Sequence, residues 1–178
     1  MVDGRAVPRS AFMRVGIAVG SNLGDRLANC RRARELLLEV AGVRGPVRTS
    51  RLYETEPIGC EPGAARFLNG VIEVESGGEP QTLLAALQAI EVKMGRSSRH
   101  PRNAPRSIDL DILFAGDLVL ASEAITLPHP RMHTRRFVLA PLADVRPELV
   151  LPGQTQTVGK LLASLNDPAS VAVFATHW

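Results

Sequence analysis

The sequence predicts an α+β sandwich of ferredoxin-like type, an antiparallel sheet in βαββαβ order with helices on its faces and a C-terminal extension. Apolar, β-branched runs of strand length alternate with two stretches of helical periodicity in that order, and Gly- or Pro-containing turns separate them. The 178 residues, 45% of them hydrophobic, suit one compact domain. Residues 1–12 show no periodicity and are set apart as an upstream extension, which leaves an expected domain over 13–178.

The first strand is expected over Arg14 to Val19, ending at Gly20. Ser21-Asn22-Leu23-Gly24-Asp25 then turns the chain into a helix from about Arg26 to Val40, where Leu27, Cys30, Leu37 and Ala41 recur at near-helical spacing. A second strand is expected from Val47 to Tyr53 and a third from about Phe67 to Val74, with a Gly/Pro-rich loop between them. Pro80 suits a helix N-terminus, Leu83, Leu84, Leu87, Ile90 and Met94 form an apolar stripe, and Gly95 ends the helix. A fourth strand, Ser107 to Phe114, closes at Gly116-Asp117, and a short fifth is expected near Val119. Loops, a small strand pair and a last helix near Val158 to Leu165 follow, with both main helices on one face of the sheet.

Composition narrows the function. No run reaches the roughly 18 apolar residues that a membrane-spanning helix needs, and the start has no signal-peptide pattern, so a soluble cytoplasmic protein is expected. Cys30 and Cys60 lack metal-ligand spacing and read as reduced thiols. A net charge of +3 is modest, but its placement is uneven. Arg96, Arg99, Arg102 and Arg106 fall close together, and Arg131, Arg135 and Arg136 follow, all in segments that read as loops. Basic loops of this kind suit phosphate.

The sharpest local feature is Ser107-Ile108-Asp109-Leu110-Asp111-Ile112. The period of two in a strand sends Ile108, Leu110 and Ile112 to one face and Asp109 and Asp111 to the other. Neighbouring like charges repel unless a cation or arginines neutralise them, and Mg²⁺ is commonly held by one or two carboxylates together with substrate phosphates. An acidic pair directly after an arginine loop therefore reads as a metal-phosphate site, since phosphoryl transfer needs preorganised positive charge. The sequence contains no P-loop, no kinase glycine loop and no dinucleotide glycine fingerprint after Gly20-Ser21. In a third cluster, Leu127 to Phe137, His129 and several arginines gather with an aromatic. Phe67 and Phe137 are candidate stacking faces for a flat heterocycle, and Asn69, on the same strand face as Phe67, is a candidate reader of its polar edge.

These motifs, namely Gly20 to Asp25, Tyr53 to Gly59, Phe67-Leu68-Asn69, Pro105 to Asp111 and Pro128 to Met132, resemble those of the 6-hydroxymethyl-7,8-dihydropterin pyrophosphokinases, in order from about Val15 to Leu165. The resemblance implies pyrophosphate transfer from Mg·ATP to the pterin in folate biosynthesis. It implies that Asp109 and Asp111 hold two Mg²⁺ ions and, with Arg96 and Arg106, form the catalytic set. Arg96, Arg106, His129 and Arg135 are implied at the triphosphate, with Gln88 and Glu91 at the nucleotide end and Ile112 and Thr126 also assigned to ATP. Thr55, Glu56, Ile58, Phe67, Asn69 and Phe137 are implied at the pterin, the two phenylalanines stacking on it. Asn103-Ala104 stand where some members carry Trp-Gly, Ser98 where some carry another arginine, and Phe67 where tyrosine is frequent. The arginine loop from Arg96 to Arg106 is expected to act as a lid.

Two rivals differ in kind. A nucleotidyltransferase also uses Gly-Ser and D-x-D, but with the two close in sequence, whereas Gly20-Ser21 and Asp109 belong to different expected strands. A nucleic-acid module on this sheet would present several aromatics and no aspartate pair toward a phosphodiester. The expected partners are the two small substrates, without nucleic acid or membrane, and the expected state is a monomer.

Overall fold

The computed structural model describes residues 12–57, 63–96 and 105–178. Strand β1 (Met13–Ser21) leads into helix α1 (Arg26–Leu38), then β2 (Val43–Thr49), β3 (Leu52–Thr55), β4 (Phe67–Ser76) and α2 (Pro80–Lys93). Strand β5 (Asp109–Ala115), the short pair β6 (Leu120–Ala121) and β7 (Thr126–Leu127), α3 (Arg136–Val145), α4 (Val158–Ser164) and β8 (Val171–Ala175) complete the order. The main sheet runs β5-β1-β4-β3-β8, with β2 also paired to β4, and every pairing is antiparallel. This is the ferredoxin-like order, with β2 and β3 sharing the length of β4: β2 pairs over Ser76 to Ile72 and β3 over Asn69 to Phe67.

Local chemistry accounts for the ends of the helices. The Asp25 side chain accepts from the Ala28 N–H at 3.0 Å and starts α1, Pro80 occupies the first turn of α2, and Gly95 at φ 92° ends it. As the periodicity predicts, α1 and α2 lie on one face. There Cys30, Leu37, Leu83 and Leu87 pack with Val15, Ile17, Val19, Leu110 and Ile112, and burial pushes the Cys30 thiol up to about 12.

Four expectations are corrected. The strand expected from Val47 to Tyr53 is two strands, broken where Ser50 is held elsewhere: its carbonyl accepts from Trp178 Nε1 at 2.7 Å and its Oγ from the Val71 N–H at 2.8 Å. The segment at Arg136 and Phe137, read as loop, opens α3, which tolerates Pro141 inside it and packs Val138, Leu139 and Leu142 over Val71, Leu113 and Phe114 on the second face. The expected fifth strand near Val119 is β6, which pairs only with β7, and the outer strand is instead the unpredicted β8. Phe12, placed upstream of the domain from sequence, packs against Gly77, and Arg44 lies 3.8 Å from its ring centroid.

Two acids hold the second layer down. Glu73, wholly buried on β4, accepts from Arg14 at 2.9 Å and from Arg146 at the end of α3 at 2.5 Å. Asp144 of α3 takes a bidentate grip from Arg51, at 3.0 Å and 2.6 Å, and the Tyr53 hydroxyl at 2.9 Å. Removing either arginine from Glu73 leaves its buried charge less fully compensated.

The register between β1 and β5 shifts between Gly16 and Ile17, so Leu113 and Phe114 both pack in the second layer. A Cβ at Gly16 would lie 2.2 Å from Phe114 Cε1. Gly16→Ala is therefore expected to lower stability by about 1–3 kcal/mol in urea unfolding, and Phe114→Leu in the same chain to restore part of it. A double variant no more stable than Gly16→Ala would show that the ring is not what limits this position.

Candidate active site

The second layer is incomplete, and where it stops a cleft of about 790 Å³ opens onto the sheet. Register fixes its floor. Tyr53, Asn69, Gly20 and Asp109 stand in one row across β3, β4, β1 and β5, and Val71, Ala18 and Asp111 stand in the next. Gly20 and Asp109 are on different strands, as expected, but directly side by side. Glycine keeps the floor open, since a Cβ there would lie 3.2 Å from Asn69 Oδ1 and 3.8 Å from Asp109 Cβ.

The acidic pair stands on the cleft face of β5, with Leu110 and Ile112 buried behind it. Arg96, at the end of α2, donates to Asp109 Oδ1 at 2.8 Å, and Arg106 donates to Oδ2 at 2.8 Å. Arg96 also pairs with Glu91, which is buried and accepts from the Leu110 N–H at 2.8 Å. Burial pulls the Arg96 guanidinium down, but the carboxylates of Asp109 and Glu91 outweigh it and hold it above the ordinary arginine range. Asp111 touches solvent at the cleft floor yet is walled in by protein. This setting, together with the charge of Asp109, raises its carboxyl above the usual range.

His129 closes the same side. Its backbone N–H donates to Leu113 O at 2.8 Å, and its Nδ1 accepts from the Arg131 N–H at 3.2 Å, which leaves the proton of the neutral ring on Nε2. Burial lowers its pKa, and Arg131 and Arg135 lower it further, against the opposing pull of Asp111 and of a backbone hydrogen bond. Burial and the neighbouring Arg131 likewise depress Arg135, which lies 5.4 Å from the Phe137 ring centroid. Toward β3 and β4 the wall turns aromatic and polar, with Phe67, Thr55 and Asn69, whose amide donates to Thr55 Oγ1 at 2.7 Å.

The stretch that carries these residues also matches known proteins. Residues 16–147 match the model of the 7,8-dihydro-6-hydroxymethylpterin-pyrophosphokinase (HPPK) family. The chain belongs to the HPPK family. It is 44% identical over 129 residues to a pyrophosphokinase named for 2-amino-4-hydroxy-6-hydroxymethyldihydropteridine from Bacillus subtilis, covering 72% of this chain and 75% of that one. It is 41% identical over 141 residues to the like-named Pseudomonas aeruginosa protein, covering 79% and 85%. It is also 40% identical over 144 residues to the folate synthesis bifunctional protein of Arabidopsis thaliana, of which it spans 29%. The fold matches the Plasmodium falciparum HPPK-DHPS crystal structure with a TM-score of 0.67 at 16% identity, over 85% of this chain and 45% of that one.

Of the positions that the family resemblance singles out, the cleft brings together Thr55, Glu56, Phe67, Asn69, Arg96, Arg106, Asp109, Asp111, His129, Arg135 and Phe137. Glu91 stands one residue behind them, through Arg96. Gln88 is exposed on α2, Thr126 is exposed on β7 and Ile112 is buried in the core, and none of the three lines the cleft. Ile58, Ser98, Arg99, Arg102, Asn103 and Ala104 lie outside the described residues, so of the expected lid only Arg96, Pro105 and Arg106 are described.

Sequence reasoning passed over Asn22. Buried, it accepts from the Arg106 N–H at 2.8 Å, donates its own N–H to Arg106 O at 3.1 Å and reaches Ala65 O at 3.4 Å, which fixes the root of Arg106. Its motif was visible, but nothing local revealed a partner 84 residues away. Thr134, Asn166, Asp167 and Pro168 also line the cleft and had no signal as isolated polar loop residues.

Burial pushes Glu91 up to about 7 from 4.5, against the pull of the Leu110 N–H and Arg96. A raised folded pKa means that the stability linked to protonated Glu91 is present below about 4.5 and is lost as pH rises through about 7. Glu91→Gln keeps an acceptor for Leu110 and cannot titrate. Its melting temperature should gain on that of the unaltered chain between about pH 5 and about pH 8. Parallel profiles would mean that Glu91 is already ionised at the lower pH.

Proposed function

We propose that this chain transfers a pyrophosphate group from Mg·ATP to 6-hydroxymethyl-7,8-dihydropterin, giving AMP and the pterin diphosphate, in folate biosynthesis. One observation supports this above the rest. The Asp109-Asp111 pair lies between a wall of guanidinium groups on one side and a Phe67, Asn69 and Thr55 subsite on the other, within a single cleft. In this reading the pterin hydroxyl oxygen forms a bond to the β-phosphorus and gives up its proton to solvent, while the bond from that phosphorus to the oxygen bridging to the α-phosphate breaks and AMP departs with that oxygen.

The donor set suits Mg²⁺: two hard carboxylates share one strand face and open onto the cleft beside a wall of cations. Asp109 and Asp111 would hold the metal, two ions in our reading, and bound Mg²⁺ would add positive charge at the phosphate oxygens. The chain's own cations do the rest. Arg96 and Arg106, which neutralise Asp109 in the structure, would turn to the triphosphate when metal takes over that task, joined by Arg131, Arg135 and His129. Phe67 and Phe137 would hold the pterin ring, and the Asn69 amide would read its edge. We also place the chain in the cytoplasm as a monomer acting on small molecules. No helix among the described residues is long and apolar enough to cross a membrane, and the cleft turns aspartates toward its ligand, which disfavours a phosphodiester backbone.

The reading is tested by AMP formation that requires the hydroxymethyl-dihydropterin. Asp109→Ala and Asp111→Ala should each abolish it with secondary structure kept, because each removes a metal ligand, and Asp109→Ala, which also frees Arg96 and Arg106, should lower the melting temperature more than Asp111→Ala. Near-normal turnover by either variant at saturating Mg²⁺ would sink the paired-carboxylate mechanism.

A second measurement separates the subsites. Phe137→Ala should weaken pterin binding far more than binding of a non-hydrolysable ATP analogue in calorimetry, stacking being worth about 0.5–1.5 kcal/mol beyond buried area. Equal losses for the two ligands would make Phe137 part of the core only.

A further inference from the structure

The match to the family ends at residue 147, yet the wall of the cleft does not. Asn166, Asp167 and Pro168 line it from the segment between α4 and β8. This segment grips α3 at its first residue. Asp167 Oδ2 accepts from the Arg136 N–H at 2.8 Å, and Asp167 Oδ1 accepts from the Ala169 N–H at 2.9 Å. The grip is returned by the Arg136 side chain, which donates from Nε to Asp167 O at 3.1 Å and from Nη2 to Leu165 O at 2.9 Å. Helix α3 has no capping side chain of its own at Arg135, so the carboxylate of Asp167 serves its N-terminus from 31 residues away.

The geometry matters because of what flanks Arg136. Arg135 and Phe137 both line the cleft, and the guanidinium of the first lies over the ring of the second. Arg136 points away from them into the 165–167 backbone, so the two cleft-facing side chains are fixed on either side of one anchored residue. A shift of that anchor would move the cation and the ring together.

We propose that Asp167 is a positioning residue that acts through Arg136 to set Phe137 against the heterocycle and Arg135 against the phosphates. The C-terminal segment, beyond the family match, thereby takes part in substrate recognition. This rests on the function proposed above and deepens it: Asp167 touches no reacting atom and works by holding the two side chains that do the binding.

The test is a double-variant cycle on the full chain, read by calorimetric titration of hydroxymethyl-dihydropterin in the presence of a non-hydrolysable ATP analogue with Mg²⁺. Asp167→Ala should raise the pterin Kd by about tenfold, as expected for loss of a charged cap. Asp167→Asn, which keeps an acceptor for the Arg136 N–H, should recover most of the affinity. In a Phe137→Ala background the Asp167→Ala change should add almost nothing, because the ring that it positions is gone. If Asp167→Ala folds poorly, the same cycle is run with Arg136→Ala, which removes the side-chain half of the grip on Asp167 O and Leu165 O and should likewise weaken pterin binding only when Phe137 is present. Unchanged pterin affinity in Asp167→Ala would overturn the proposal, and so would the same fold-loss with and without Phe137. An unaltered chain that neither binds the pterin nor forms AMP from it would overturn the proposed function itself, a result distinct from an active chain indifferent to Asp167.

Discussion

Two carboxylates at alternate positions of one strand, Asp109 and Asp111, create a repulsion that much of the surrounding structure is arranged to offset. At roughly 7 Å apart along a strand and an effective dielectric near 20, two unit charges repel by about 2 kcal/mol, a sizeable share of a domain's net stability. The structure offsets it with charge. Arg96 and Arg106 occupy both oxygens of Asp109, and each is tethered in turn, Arg96 by buried Glu91 and Arg106 by the Asn22 amide clamped on its backbone. Asp111 has its carboxyl raised instead. A pair stabilised by borrowed arginines is well placed to exchange them for a divalent cation, after which the same arginines are free for phosphate. The charge arrangement of the resting fold and the proposed chemistry therefore come from one constraint.

Charge also decides where the second layer ends. Helix α3 is fixed at its C-terminal side by Arg146 on Glu73 and by Asp144 on Arg51 and Tyr53, and at its N-terminal side by Asp167 on Arg136. Between those clamps the helix buries Val138, Leu139 and Leu142 against the sheet. Its first residues are held at the edge of that contact, where Arg135 and Phe137 face open space. Trp178 makes a comparable tie on the first layer, buried with its indole N–H on Ser50 O, and the cation of Arg34 lies 5.6 Å from its ring centroid.

Much of this was legible in the sequence, and the exceptions have physical causes. Alternation placed Leu110 and Ile112 behind Asp109 and Asp111, and a 3.6-residue stripe put Leu83, Leu87 and Ile90 of α2 into the same core. The clustering of arginines beside an acidic pair was visible without any knowledge of the fold, and the fold brings Arg96 and Arg106 onto Asp109. Helix α3 was hidden because Pro141 lies inside it and a proline-rich stretch precedes it, both of which argue locally for loop, while tertiary packing on Val71 and Leu113 decides for helix. The break between β2 and β3 depends on Trp178, 128 residues from Ser50, and β8 depends on the free edge of β3. Asn22 and Asp167 were missed for the same reason, since each acts through a backbone far away in sequence.

The cleft itself owes as much to small residues as to charged ones. Helices α1 and α2 span 13 and 14 residues and cover their face of the sheet, while α3 has 10 and α4 has 7. A thinner second layer alone would leave a shallow patch, because large side chains from the central strand would rise to fill it. Strand β1 instead presents Ala18 and Gly20 on that face and keeps Val15, Ile17 and Val19 for the other. The floor is therefore lowest where Gly20 separates Asn69 from Asp109, with only 3.2 Å between a Cβ there and the Asn69 amide oxygen. In the proposed function, a heterocycle held at Asn69 and a phosphate chain held near Asp109 would approach each other across that low point. The missing side chain of Gly20 is thus part of the site, contributing the space in which the two substrates would meet.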